Sequence, residues 1–340
     1  MMLPRPSFSH LKRLTDDKGL FEHANGTIPR YSHGYCVDDV ARALVVVSRN
    51  PVLREDPETQ GLRDTYLAFV LAAQDSEGRF HNRLSLDGIW QDQPSSEDCW
   101  GRALWGLGTC ISSHMEAQCF DAAQKAFTLG SNQRSRWLHS MAFAALGAIE
   151  VLQVAPDHAN AQSLLRDTVV RIGRPRSSKS WPWPEDRLEY ANAVLPEVLL
   201  AAGTILQNSS LQQDGLHLLG WLLDLETYGG HLSVTPVGGR GQTDVSPAFD
   251  QQPIEVAALA DACATAYKVT GDKRWASGLE LAVQWFLGGN DGNIPLYDPV
   301  SGGCCDGLEP FGRNENQGAE STLAALSTLQ QGILLTERVQ

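Results

Sequence analysis

The most constraining feature of this chain is an alternation between two kinds of helical segment. Apolar residues recur at helical spacing in twelve stretches. Six are apolar on one face: Phe8–Leu14, Leu62–Gln74, Ala117–Leu129, Ala159–Ile172, Leu211–Glu226 and Lys273–Leu287. The intervening six, opening at Asp38, Cys99, Trp137, Tyr190, Ile254 and Gly318, are apolar nearly all round. A helix apolar on every face has to be buried on every face, whereas a one-faced helix covers something and meets water. An inner ring of six surrounded by an outer ring of six satisfies both demands. The inner segments are rich in Ala and Gly, as in Ala142, Ala144, Ala145 and Gly147, which allows close approach. Polar openings precede the inner segments near residues 38, 97, 139, 189, 251 and 315, a diverged repeat of helix pairs with variable loops. The expected fold is therefore all-α, an (α/α)6 toroid formed as one domain over residues 1–340, with a minor hairpin insert near 228–240. An open solenoid of helix pairs is the rival, but it leaves unexplained why polar and aromatic residues gather before every apolar helix.

Composition narrows the function. The chain carries 27 Lys and Arg against 40 Asp and Glu, a formal charge of −13, with no basic run. That balance argues against nucleic acid and anionic membranes, both of which need clustered cations. No apolar run approaches the roughly 20 residues of a membrane span, and Met1–Ser7 lacks the apolar core of a signal peptide. Seven cysteines, including the vicinal Cys304–Cys305, do not resemble a disulfide framework. A soluble cytoplasmic protein is expected. Neither CxxC nor HxxxH spacing occurs, and no Gly-rich loop follows a strand, so no metal and no nucleotide cofactor is expected.

In a toroid of outer-then-inner hairpins, the inner N-termini converge on one mouth. The residues gathered there are His33, Tyr35, Asp38 and Asp39; Glu97, Asp98 and Trp100; His139; Trp181, Trp183, Glu185, Glu189 and Tyr190; His231, Phe249, Asp250, Gln251 and Gln252; and Asp306, Glu309, Asn314, Glu315, Asn316 and Glu320. Carboxylates, amides and aromatic faces together suit a sugar, whose hydroxyls take paired hydrogen bonds and whose C–H faces stack on rings. Two carboxyls with separated pKa values would hydrolyse a glycosidic bond, and placement across the ring would leave the 6.5–9.5 Å or so that an inverting water needs. The expected pair takes one member from Asp39, Glu97 or Asp98 and the other from Asp250, Glu315 or Glu320. Trp100, Trp181, Trp183 and Phe249 would be stacking platforms.

Plainer roles compete. Asp38 and Asp39 suit the start of a helix, where carboxylates accept from free N–H groups. Ser95 and Asp98 have the spacing of a capping arrangement. Arg42 and Arg102 each stand four residues past an aspartate, Asp38 and Asp98, at ion-pairing distance along a helix. His139 beside Ser140 has no Asp at readable spacing, which disfavours a Ser-His-Asp triad.

Three strings, HGYCVDDVARAL, SSEDCWGRALWGLG and NENQGAESTLAAL, resemble a bacterial family of six-hairpin glycosidase-like proteins associated with glycosyltransferases. The resemblance runs from about Phe8 to Leu335 and implies the (α/α)6 fold, a sugar ligand and a functional association with a glycosyltransferase. More loosely, the architecture is similar to inverting glycosidases, unsaturated-glycuronyl hydrolases and N-acylglucosamine epimerases. The epimerases work through histidines at the mouth, for which His33, His139 and His231 are the candidates. Three readings follow: an inverting glycoside hydrolase, a sugar epimerase or isomerase, and a non-catalytic glycan-binding module.

Overall fold

The computed structural model describes residues 4–49, 57–113 and 117–339. The first three residues of the segment read for a signal peptide lie outside that range. Among the described residues are twelve α-helices: α1 (Ser9–Arg13), α2 (Val37–Arg49), α3 (Pro57–Ala72), α4 (Asp98–Ser112), α5 (Ala117–Gly130), α6 (Leu138–Val154), α7 (Ala159–Ile172), α8 (Val194–Ile205), α9 (Ser209–Leu225), α10 (Pro253–Thr270), α11 (Lys273–Phe286) and α12 (Ala319–Val339). None is long and apolar enough to cross a membrane. The chain forms two compact units, one of Leu11–Ala24 with Ile28–Arg171, the other of Met1–His10, Asn25–Thr27 and Ile172–Gln340.

In the first unit, α2, α4 and α6 pack side by side, with α3 against α2 and α5 against α4. No residue of α2 is exposed, and its half-buried members are Asp38, Arg42 and Arg49. Backbones meet where side chains are smallest. A Cβ on Gly101 would strike the Ser140 backbone of α6, one on Gly106 the Ala41 backbone of α2, and one on Gly147 the Leu104 backbone of α4. In α3, Tyr66, Leu67, Phe69 and Val70 are buried while Gln60, Gly61, Asp64 and Ala68 face solvent, the one-faced pattern the spacing predicts.

In the second unit, α10 packs against both α8 and α12, with α9 against α8 and α11 against α10 and α12. The sequence places the start of α8 at Tyr190, but the helix begins at Val194. Ala191 takes a left-handed conformation (φ 47°), so residues before it turn rather than coil. Strands are two or three residues long. Thr227–Tyr228 pairs antiparallel with His231–Leu232, forming the expected hairpin insert around Gly229–Gly230. The backbone of Gln251 bridges to both Pro236 and Leu308, seating the approach to α10 between two loops.

Candidate functional site

The openings of α2, α4 and α6 are tied together by charge. Arg102, 4% exposed on α4, donates from Nη1 to Asp38 Oδ1 on α2 (3.0 Å) and to Asp98 Oδ2 on its own helix (3.2 Å). Its guanidinium lies 4.6 Å from the Phe143 ring of α6. Asp38 also accepts from Asn82 Nδ2 at 3.1 Å, and Ser140 Oγ of α6 donates to Asp98 Oδ1 at 2.5 Å. The four-residue spacing of Arg42 from Asp38 predicts a pair that does not form. Arg42 turns instead to Asp39, three residues away, at 2.6 Å. Asp39 is 4% exposed, so this carboxylate is a buried ion-pair partner. Glu97 is the exposed residue before α4 and makes no side-chain cap, while Ser95 Oγ accepts from the Glu97 N–H at 3.3 Å; the capping arrangement read from Ser95 and Asp98 is therefore not the one formed. The Glu97 carboxylate approaches the exposed Arg136 (4.0 Å).

Two aromatics read as ligand contacts are core. Tyr35 is fully buried, stacks on Phe21 and donates its hydroxyl to Asp16 (2.6 Å). Trp100 is fully buried and donates Nε1–H to the Gly130 carbonyl (2.9 Å). Both satisfy their polar ends internally, which leaves no face for a sugar. His139 is 3% exposed, and burial pushes its pKa down to about 4, with Asp98 pulling the other way, so it stays neutral near pH 7. His33 is exposed, edge-on to His23.

Glu22, Cys36 and Asp39 come close enough to suggest a metal set. Arg83 already neutralises Glu22 and Arg42 neutralises Asp39. Burial pushes the Cys36 thiol well up, away from the thiolate a metal would need. The donor set does not fit a cation.

The second unit holds a different chemistry. Trp181 and Trp183, expected to face a ligand, are buried against Trp221, edge-on at 5.1 Å and stacked at 5.9 Å respectively. The flanking prolines fix the loop's direction and the rings take the apolar side. Trp181 Nε1–H holds the Glu185 carbonyl (2.9 Å). The half-buried Glu185 carboxyl is pushed up to about 7 by burial and then by the charge of exposed Glu189. Tyr190 is half-buried.

His231 stands at the end of its hairpin, paired with Tyr228. Its Nε2 lies 2.8 Å from Asp291 Oδ1, and the other Asp291 oxygen accepts from Gln251 Nε2 at 2.6 Å. Gln251 is fully buried and fixed in turn: its Nε2 also reaches the Ala248 carbonyl (3.1 Å), and its Oε1 accepts from Trp285 Nε1 (3.4 Å). Asn290 pins the Asp291 loop through four hydrogen bonds, to the carbonyls of Trp285 and Ile294 and from the N–H groups of Gly292 and Ile294. A carboxylate only accepts, so Nε2 is the donor to Asp291, and Nδ1 is the nitrogen this contact leaves over. The imidazole is half-buried, and among the described residues Nδ1 has no hydrogen-bonding partner. This is an oriented base with an open face.

The remaining expected residues scatter. Asp250 is exposed and Phe249 half-buried. Glu315 is exposed and held by Arg313 (3.1 Å), and Asn316 Oδ1 accepts from the Gly26 N–H (3.1 Å). The Asn314 carbonyl takes the Asp306 N–H (3.2 Å). Asp306 receives the Gly318 N–H (2.7 Å) just before α12 and the Ser321 hydroxyl (2.9 Å) in its first turn, where Glu320 is half-buried. Sequence reading missed Asp291, which sits in a Gly-Gly-Asn-Asp-Gly turn. It also missed Glu255, an acid inside an apolar run, and Glu226, at the end of an outer helix.

No family model matches the chain, and no curated protein matches it either. Solved structures do. A sugar epimerase from a ruminal bacterium superposes with a TM-score of 0.71 at 11% identity, over 98% of this chain and 96% of that one. Cellobiose 2-epimerase from Spirochaeta thermophila gives 0.70 at 12% identity, over 97% and 93%. A GH76 α-mannanase from Bacteroides thetaiotaomicron gives 0.65 at 11% identity, over 98% and 94%. These likenesses cover essentially the whole chain, and the fold of the protein is that of the six-hairpin (α/α)6 enzymes.

Proposed function

We propose that the protein is a carbohydrate-active enzyme in which His231 transfers a proton of a free sugar, as a sugar epimerase or isomerase does. The observation that carries this reading is the relay Trp285–Gln251–Asp291–His231, which holds the ring by Nε2 and leaves Nδ1 without a hydrogen bond among the described residues. An open-chain aldose has an acidic C–H beside its carbonyl. Nδ1 takes that C2 proton, the electron pair moves onto the carbonyl as an enediolate, and the imidazolium is stabilised by Asp291. Return of a proton to C2 on the other face gives the epimer, and return to C1 gives the ketose. Solved relatives of the fold described as a sugar epimerase and a cellobiose 2-epimerase support the substrate class.

Hydrolysis is the second reading, favoured by Glu185. Its carboxyl, pushed up to about 7 beside exposed Glu189, gives the protonated and ionised members that glycoside cleavage uses. The α-mannanase relative lends that reading its support. The carboxylates first expected to do this work, Asp39 and Asp98, are instead engaged by Arg42, Arg102 and Ser140. Work alongside a glycosyltransferase belongs to the same proposal, resting on the three sequence strings, as does a cytoplasmic setting, resting on the N-terminal segment and the cysteine pattern.

The test is incubation with a panel of free sugars and oligosaccharides, products read by NMR. A new free sugar of unchanged chain length is expected, abolished by His231→Asn. Release of shorter sugars, abolished by Glu185→Gln and untouched by His231→Asn, would replace the first reading with the second.

A further inference from the structure

The hairpin that carries His231 holds a second polar group that neither reading uses. Thr227–Tyr228 and His231–Leu232 are joined by Gly229 and Gly230, which both take positive φ (60° and 87°). A loop of this kind matches the right-handed twist of the strands it joins, and glycine adopts it without strain. The register places Tyr228 directly opposite His231. Residues opposite one another in an antiparallel pair project from the same face, with Cβ atoms about 4.5–5.5 Å apart. On its other side the second strand bridges through Leu232 to Asn290. His231 is therefore flanked by the Asp291 loop on one side and by Tyr228 on the other.

The base of the hairpin is fixed and its tip is open. At the base, the Glu226 carbonyl accepts the Ser233 N–H (2.8 Å), and Glu226 Oε1 accepts both the N–H (2.9 Å) and the hydroxyl (2.6 Å) of Thr235. At the tip, a Cβ on Gly229 would lie 3.4 Å from His231 Cε1 and 3.7 Å from Nδ1. The imidazole thus turns Nε2 to Asp291 and lays its Cε1–Nδ1 edge over the bare turn that follows Tyr228. Tyr228 is 55% exposed, and among the described residues no hydrogen bond engages its hydroxyl. A tyrosine so placed adds little to the core, and its phenol is a donor left over.

We propose that Tyr228 is a second catalytic residue of the His231 site, its hydroxyl donating a hydrogen bond to the carbonyl oxygen of the bound sugar. The inference rests on the proposed role of His231 and deepens it. When Nδ1 takes the C2 proton, the C–H electron pair moves into the C1–C2 bond and the carbonyl pair moves onto the oxygen. That oxygen is two bonds from C2, which itself stands about 3–3.5 Å from Nδ1 when it reacts. A tyrosine side chain starting from the opposite strand position covers that distance. The phenol keeps its own proton throughout and releases the oxygen when the imidazolium returns a proton to carbon. A donor aimed at the atom where charge develops stabilises the transition state more than the bound sugar.

The measurement is steady-state turnover of D-glucose, D-mannose and cellobiose in D2O by the wild type, Tyr228→Phe and Tyr228→Ala. Deuterium entry at C1 or C2 is read by proton NMR, and melting temperature is recorded alongside. Tyr228→Phe keeps the ring and loses only the donor. Its kcat is expected to fall about 10²-fold, the low end for removing one oxyanion donor, with KM and melting temperature near wild type. Tyr228→Ala is expected to lose at least as much kcat. Tyr228→Phe with wild-type kcat, whether or not its KM rises, overturns the proposal and leaves the role of His231 standing. Tyr228→Ala impaired beside a fully active Tyr228→Phe makes the ring a stacking surface and overturns it equally. If the wild type leaves the carbon-bound protons of all three sugars in place, the reading of His231 falls and this inference falls with it.

Discussion

Arg102 is buried between aspartates from two helices, and its value to the protein is compensation. Removing it leaves the half-buried Asp38 and Asp98 side chains without the cation they share. Arg102→Met is therefore expected to destabilise by roughly 3–5 kcal/mol in denaturant unfolding, the usual range for breaking a buried pair from one side. Asp39→Asn should also cost stability, because Arg42 is left behind, whereas Glu97→Gln on the surface should not. His139 gives a pH signature. Its folded pKa near 4 lies below the unfolded value, so the unfolded chain binds more protons between those limits and stability falls as pH drops from about 6.5 toward 4. His139→Gln is expected to flatten that slope in melting temperature measured against pH. At the proposed centre, His231→Asn should lower turnover by about 10²–10⁴-fold with melting temperature near wild type. These residues differ in how far the sequence revealed them. Acids at helix openings are visible as letters, but which arginine meets which acid is a matter of geometry. Four-residue spacing pointed Arg42 at Asp38, and the rotamer chose Asp39 at three. Asp291 was invisible, since an aspartate between glycines reads as a turn until a histidine sixty residues earlier folds onto it.

At the scale of elements, the alternation of one-faced and all-apolar helices was legible because burial is written directly into spacing. So was the use of small residues between inner helices. Gly147→Ala would press a methyl into the Leu104 backbone, where no flexible side chain can yield, and is expected to destabilise by about 1–3 kcal/mol or more by thermal melting. Ala142 and Ala144 on the same helix are fully buried but already carry the methyl. The loops were less legible. Trp181 and Trp183 between prolines look like an exposed aromatic display, yet Trp221 from α9 gives both a partner. Loop aromatics are buried by long-range contacts that local patterning does not encode. The left-handed Ala191 was equally hidden, because glycine is the usual mark of such a turn and the stabilising acceptor, Glu255, is 64 residues away.

At the scale of the whole molecule, the fold persists at 11–12% identity to enzymes of the same architecture. A burial pattern tolerates almost any substitution that keeps volume and polarity in register. Chemistry is less forgiving, and it separates proton transfer at carbon from glycosidic cleavage. The central claim is that His231 takes a proton from C2 of a free sugar. Its most direct test is incubation of free aldoses, cellobiose and manno-oligosaccharides with the protein in D2O, followed by proton NMR. Deuterium should enter C2 as an epimer appears, or C1 as a ketose appears, and His231→Asn should abolish either product. Shorter sugars appearing with no deuterium at C2 would contradict the account.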